Sequence, residues 1–171
     1  CSNPEFLREG NAVSDFLRPD RVVLGVSSKK AFDYMKDVYR PLYINKTPLI
    51  HTTIETAEMI KYAANAFLAL KISYINEVAN LCDEVGADIN VVSEALGADG
   101  RISPKFLHPG PGFGGSCFPK DTKALIHVAK KYDLDMNTID AAIKTNNYQR
   151  IRMFNKIENL LEGNMKNKKI A

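Results

Sequence analysis

The sequence predicts a mainly α-helical chain with a small α/β portion. Three observations carry this reading. Residues 57–85 run without a single Pro or Gly, the mark of one long helix. Two short apolar runs, 21–26 and 48–51, flank a stretch of helical period, the order of a βαβ unit. Further helical stretches follow, divided by a loop over 98–118 that is rich in Gly and Pro.

Taken in order, residues 21–26 follow a Pro-Asp turn and form a β-branched run that reads as a buried strand. Over 28–40, Ala31, Phe32, Met35, Val38 and Tyr39 recur at helical spacing. Pro48 opens a second strand at its first residue, where Pro is tolerated. Residues 1–52 thus read as the closing βαβ portion of a sheet whose earlier strands lie outside the chain. The long helix comes next, with Thr52 or Thr53 to cap it and Gly86 to end it. At 1.5 Å per residue it would run roughly 45 Å. Its apolar residues go nearly all round, from Met59 and Ile60 through Phe67, Ile72 and Val78 to Cys82. Such a helix is buried on several sides, and in so short a chain that requires a partner subunit or further domains. A short helix is expected over 90–96, stopped by Gly97. Helices are expected over 119–131, opened by Pro119, and over 135–161. Residues 169–171 read as the start of a strand.

Composition narrows the function. The 171 residues are 45% hydrophobic and 25% charged with a net charge of +3, an ordinary globular balance. No basic stripe interleaved with aromatics is present, which argues against nucleic-acid binding. No apolar run approaches the ~20 residues of a membrane span. Three cysteines do not make a complete disulfide framework, and a reducing cytoplasm fits them best. The spacing of His, Cys, Asp and Glu suggests no metal site. The chain opens on Cys1-Ser2-Asn3 without an initiator Met, which reads as the middle of a larger protein.

One stretch carries chemistry: Gly112-Phe113-Gly114-Gly115-Ser116-Cys117-Phe118-Pro119-Lys120-Asp121. Three glycines allow a ligand close to the backbone, and a cysteine follows just ahead of the expected helix. The positive end of a helix dipole favours a thiolate there, and Lys120 adds a positive charge. The alternative is a Gly-rich turn holding an inert small residue. Lys61 and Asn65 lie four apart on the long helix and share a face. Either Lys61 reaches out to water, or cation and amide together stabilise a developing oxyanion. Asp121 is a first-turn dipole residue, or it orients a lysine or water beside the sulfur. Glu5 and Glu9 are surface charges, or one is a general base toward water. None of His51, His108 and His127 sits in a Cys–His dyad signature.

Three segments, Ser2-Asn3-Pro4-Glu5-Phe6-Leu7-Arg8-Glu9-Gly10, Lys61-Tyr62-Ala63-Ala64-Asn65-Ala66-Phe67 and the glycine–cysteine stretch, together resemble the nucleotide-sugar 6-dehydrogenases. The Cys-Phe-Pro-Lys-Asp form, with Asp99-Gly100-Arg101-Ile102 upstream, is more similar to the UDP-glucose branch than to the GDP-mannose branch. The resemblance implies NAD-dependent oxidation of a sugar C6 alcohol to a carboxylate by two hydride transfers. It makes Cys117 the nucleophile, forming a thiohemiacetal and then a thioester. Lys61 and Asn65 would stabilise the C6 oxygen, Asp121 would work with the lysine and a water, and Glu5 would serve in thioester hydrolysis. Phe6, Leu7, Glu9, Arg101, Phe106, His108, Gly112, Phe113 and Gly114 would bind substrate, with 108–114 as a covering loop and Arg101 reaching a neighbouring subunit. Glu9, Cys117 and Lys120 would lie near NAD. The same resemblance implies domains 1–52 (the end of an NAD-binding Rossmann-like domain), 53–165 (helical dimerisation and catalysis) and 166–171 (the start of a UDP-sugar domain), with a homodimer through the long helix. The glycine turn that grips NAD pyrophosphate is not in this sequence, so the segment alone is expected not to turn over. A non-catalytic helical oligomerisation module is the competing class.

Overall fold

The computed structural model describes residues 1–169, with the backbone alone for 43–45. Its elements are α1 (Ala12–Leu17), β1 (Val22–Gly25), α2 (Lys29–Val38), a 3-10 turn (Arg40–Asn45), β2 (Leu49–Thr52), α3 (Ile54–Val85), α4 (Ile89–Ala98), α5 (Cys117–Lys130) and α6 (Asn137–Leu160). The fold is mainly α with a small α/β portion. The chain divides into two compact units, Cys1–Ala64 and Asn65–Ala171, and α3 runs through the division.

In the first unit β1 and β2 pair in parallel, from Val22 opposite Leu49 to Gly25 opposite Thr52. All four residues of β1 are buried, as expected of a strand covered on both faces. Val22, Leu24 and Leu42 form a small core with Phe32, Met35, Tyr39 and Leu49 packed on it. Ser28 caps α2 by accepting from Ala31 N at 3.2 Å. Ser2 bridges to Gly25 in antiparallel fashion, and Asn3 Nδ2 donates to Val23 O at 2.9 Å. Gly25 has a packing reason: a Cβ there would stand 2.6 Å from Ala57 Cβ and 2.7 Å from Thr53 O. Strand β1 can therefore lie against the start of α3 only through glycine.

Helix α3 starts where Thr53 Oγ1 accepts from Thr56 N at 3.2 Å. It ends in a Schellman closure, with Gly86 at φ +73° and Ala87 N bonded to Cys82 O at 3.0 Å. Ala66, Ala69, Ile75 and Cys82 are buried, whereas Phe67, Tyr74, Leu81 and Val85 are exposed. Among the described residues no helix is long and apolar enough to cross a membrane.

Several boundaries differ from the sequence reading. Helix α4 does not stop at Gly97; it continues to Ala98 with Gly97 buried inside it. A Cβ on Gly97 would meet Pro104 Cα at 2.8 Å, so this glycine serves a close approach and not a cap. Helix α5 begins at Cys117, two residues before Pro119, because Pro is tolerated throughout a first turn that needs no N–H donor. Helix α1 was not foreseen: it has six residues and buries none of them, so it carries no apolar period. Of the strand expected over 169–171, Ile170 and Ala171 lie outside the described residues, and Lys169 is irregular.

Candidate active site

Each unit gathers some of the residues singled out by sequence. In the first, Lys61 on α3 is largely withdrawn from water, its side chain 16% exposed. Its ammonium donates to the backbone carbonyl of Glu5 and lies 3.3 Å from Glu5 Oε1. The same ammonium stands 5.5 Å from the centre of the Phe6 ring, and the Arg21 guanidinium lies over that ring at 4.1 Å. Two cations at one aromatic ring hold the Glu5–Phe6 segment in place. Glu5 Oε2 also accepts from Leu7 N at 2.7 Å, so this carboxylate is tethered from both sides. Leu7 is exposed, and Glu9 is exposed in the turn before α1.

The second unit assembles around the start of α5. Cys117 is the first residue of the helix; its sulfur is exposed and 3.8 Å from Ser116 Oγ. One turn on, Asp121 is buried at 1% exposure. Its Oδ2 accepts from Asn65 Nδ2 at 2.5 Å. Its Oδ1 is 2.8 Å from the Lys120 ammonium, an ion-pair contact at an angle that makes no hydrogen bond. Asp121 Oδ1 thus has a charge partner but no hydrogen bond among the described residues. It is free to accept one from a water or a ligand hydroxyl. Lys61 is thus engaged by Glu5, and Asn65, four residues later on α3, by Asp121.

The loop ahead of α5 is fixed from several directions. Phe118 meets Phe106 and Phe113 edge-on, each pair of ring centres 6.0 Å apart. Phe113 is buried and Phe106 half-buried at φ +65°, while His108 is exposed. Gly112 holds φ +105°, and a Cβ there would stand 2.4 Å from Asn146 Oδ1. Gly114 and Gly115 have open space where a side chain would be. Arg101 is 89% exposed and chelates Asp99, whose carboxyl its guanidinium holds below the ordinary range. The turn carrying Arg101 is pinned by Lys71, which donates to Ile102 O at 2.9 Å and Ser103 O at 3.1 Å.

Sequence reasoning missed Lys71 and four buried or half-buried carboxamides, Asn76, Asn80, Asn146 and Gln149, that bond to the loop or to one another. A signal existed. Asn76 and Asn80 are four apart, and Asn146 and Gln149 three apart, so each pair shares a helix face. Among the described residues no group of His, Cys, Asp or Glu could hold a metal.

The profile of the central domain of the UDP-glucose/GDP-mannose dehydrogenase family matches residues 55–148, more than half of the chain, and that of the family's NAD-binding domain matches residues 1–43. This chain belongs to the UDP-glucose/GDP-mannose dehydrogenase family. It is 51% identical to the UDP-glucose 6-dehydrogenase of Rhizobium meliloti, covering 99% of this chain and 39% of that protein. Among solved structures, a UDP-glucose dehydrogenase from the archaeon Pyrobaculum islandicum matches with a TM-score of 0.89 at 43% identity, over 94% of this chain and 37% of that one. The GDP-mannose dehydrogenase of Pseudomonas aeruginosa matches with a TM-score of 0.56 at 36% identity, over 92% and 36%. The chain therefore spans about two fifths of the length of its family relatives.

NAD is the cofactor of the family's first domain. The β1–α2 turn, Gly25-Val26-Ser27-Ser28, carries a single glycine and not the Gly-x-Gly-x-x-Gly turn that takes the pyrophosphate. What residues 1–52 offer is one edge of a parallel sheet, with both strands ending on the same side at Gly25 and Thr52. In open α/β sheets that side faces the ligand.

Proposed function

We propose that this chain is the catalytic core segment of a UDP-glucose 6-dehydrogenase, converting UDP-glucose to UDP-glucuronate with Cys117 as nucleophile. The observation that carries the reading is the first turn of α5. It presents an exposed sulfur one turn from a buried carboxylate that retains an acceptor oxygen. Bound NAD accepts the hydrides released at C6; the remaining chemistry falls to residues of this chain. Once the C6 alcohol has become an aldehyde, Cys117 Sγ bonds to C6 and its proton passes to the carbonyl oxygen. The thiohemiacetal so formed is oxidised at C6 to a thioester. Water then adds to that carbon, the C–S bond breaks, the carboxylate leaves and the sulfur regains its proton.

The polar residues follow their chemistry. Asn65 orients Asp121, and the open Asp121 oxygen holds the water or the C6 hydroxyl. Family resemblance adds Lys61, with Asn65, as stabiliser of the negative C6 oxygen, and Glu5 as base for hydrolysis. It also assigns Phe6, Leu7, Glu9, Arg101 and Phe106 to the substrate, 108–114 to its covering loop, and Glu9, Cys117 and Lys120 to the surroundings of NAD. The 171-residue segment alone does not turn over, since neither of its strands is followed by the Gly-x-Gly-x-x-Gly turn that takes the pyrophosphate. Residues 1–52 complete the NAD-binding domain, 53–165 form the catalytic and dimerising domain, and 166–171 lead into the UDP-sugar domain. Three free cysteines suit a reducing cytoplasm.

The test is Cys117→Ala in a family-length protein. NAD reduction with UDP-glucose should fall at least about 10³-fold, as for removal of other covalent nucleophiles, while UDP-glucose still binds. Undiminished turnover would overturn the assignment, whereas a parent that reduces no NAD with either sugar nucleotide would favour the helical oligomerisation module. The similarity to a GDP-mannose dehydrogenase supports a second reading, and GDP-mannose oxidised in preference to UDP-glucose would select it.

A further inference from the structure

Four hydrogen bonds between three buried carboxamides and the loop converge on two of its residues, Gly110 and Phe113. Gly110 N donates to Asn76 Oδ1 at 2.8 Å, and Gln149 Nε2 donates to Gly110 O at 2.8 Å. Phe113 N donates to Asn146 Oδ1 at 2.6 Å, and Asn146 Nδ2 donates to Phe113 O at 3.0 Å. One carboxamide thus grips both polar groups of the Phe113 backbone, as a neighbouring strand would. Behind them, Asn80 Nδ2 donates to Gln149 Oε1 at 2.9 Å, which fixes the orientation of the Gln149 amide. Asn76, Asn146 and Gln149 are 1%, 5% and 2% exposed.

We infer that Asn76, Asn146 and Gln149 are positioning residues: they clamp Gly110 and Phe113 so that the glycines before Cys117 are presented to the sugar nucleotide. The inference rests on reading 108–114 as the substrate-covering loop. Two facts favour this over a purely stabilising role. The network is not fully satisfied, because Asn76 Nδ2 is buried without an acceptor among the described residues. A network selected for stability alone would not leave that donor bare. Finally, the clamp stops at a definite point. At Gly110 and Phe113 the backbone is held; at Gly114 and Gly115, directly before Ser116 and Cys117, the space a side chain would take is open. A fixed arm thus ends in an open, side-chain-free stretch beside the sulfur, where a ligand can lie against backbone.

The test uses a family-length protein and needs no turnover. Iodoacetamide alkylation of Cys117 is followed as UDP-glucose is titrated in, giving a half-protecting concentration. In Gln149→Leu and Asn146→Leu that concentration should rise about tenfold, the worth of a lost and unreplaced hydrogen bond. The alkylation rate without UDP-glucose should stay within about twofold of the parent, a difference too small to signal a rearranged site. Amide exchange at Gly110 and Phe113 should quicken in both. Asn80→Ala, which leaves every loop bond in place but frees the Gln149 amide, should give a smaller rise of about threefold. A variant that only melts earlier, with the half-protecting concentration unmoved, overturns the inference. If the leucine variants do not fold, Asn80→Ala decides alone, and an unchanged value there overturns it. Failure of UDP-glucose to protect the parent Cys117 sinks the functional reading itself, before any variant is compared.

Discussion

Gly112 shows how one absent methyl group organises the loop. Its φ of +105° belongs to glycine, and the space a Cβ would need is taken by Asn146 Oδ1 at 2.4 Å. Gly112→Ala must therefore strain the backbone and displace the amide that holds Phe113. The expected cost is about 2–4 kcal/mol, the sum of a forced positive φ and a broken buried hydrogen bond. Urea denaturation monitored by circular dichroism checks this, and a variant as stable as the parent would mean that Asn146 does not grip the loop. At this scale the sequence was informative where chemistry is written in residue type. The sulfur, the glycines around it and Asp121 were recognisable from their order alone. The carboxamides were not, because Asn and Gln on a helix are ordinary solvent-facing residues until packing turns them inward. Which oxygen of Asp121 is engaged, and by which partner, depends on the rotation of α3 and α5 about their axes, and no spacing rule reports that.

At the scale of elements, α1 depends on electrostatics more than on burial. Asp15 accepts from Arg8 Nε at 2.9 Å and Arg8 Nη2 at 2.6 Å, and from Asn11 Nδ2 at 2.9 Å. The hydrogen bonds from Arg8 lead the causes that hold the Asp15 carboxyl down to about 2. An unpaired aspartate titrates near 3.9. A depressed carboxylate stabilises the folded form above its unfolded pKa and loses that contribution as pH falls toward the folded value. The turn at Gly10 and helix α1 should therefore be fully formed at neutral pH and loosen as pH drops from about 4 to about 2. Amide chemical shifts of residues 8–17 across that range would follow it, and Asp15→Asn should loosen the segment already at pH 7. Unchanged shifts down to pH 2 would show that the pair does not hold the element. Legibility here tracks hydrophobic pattern. The strands announced themselves as short apolar runs, α2 and α6 by apolar residues recurring at helical spacing, and α3 by its length without Pro or Gly. Helix α1 buries nothing and gave no period. The passage of α4 through Gly97 was misread because glycine signals both a helix end and a close approach, and only Pro104 across from it decides between them.

At the scale of the whole molecule, helix α3 leaves apolar surface that the described residues do not cover. Phe67, Tyr74, Leu81 and Val85 are 59%, 52%, 62% and 67% exposed. The first three are seven apart, and at 3.6 residues per turn all four fall on one stripe. Large side chains in such a row are rarely left in water, and a stripe of heptad spacing suits packing against another helix. The element order was legible in the sequence, but what covers an apolar helix was not, because composition reports how much apolar surface exists and not which part faces a neighbour. The expectation is a homodimer with α3 at its centre. Sedimentation of the 171-residue chain at micromolar concentration should give twice the monomer mass, and the melting temperature should rise with concentration, as it does when folding is linked to association. Leu81→Glu places a charge in the middle of the stripe and should shift the population to monomer, with the helical content within either unit largely kept. A parent that sediments as a stable monomer, its melting temperature independent of concentration, would remove the second subunit from the account and leave the stripe to be covered by the three fifths of the family length that this chain does not span.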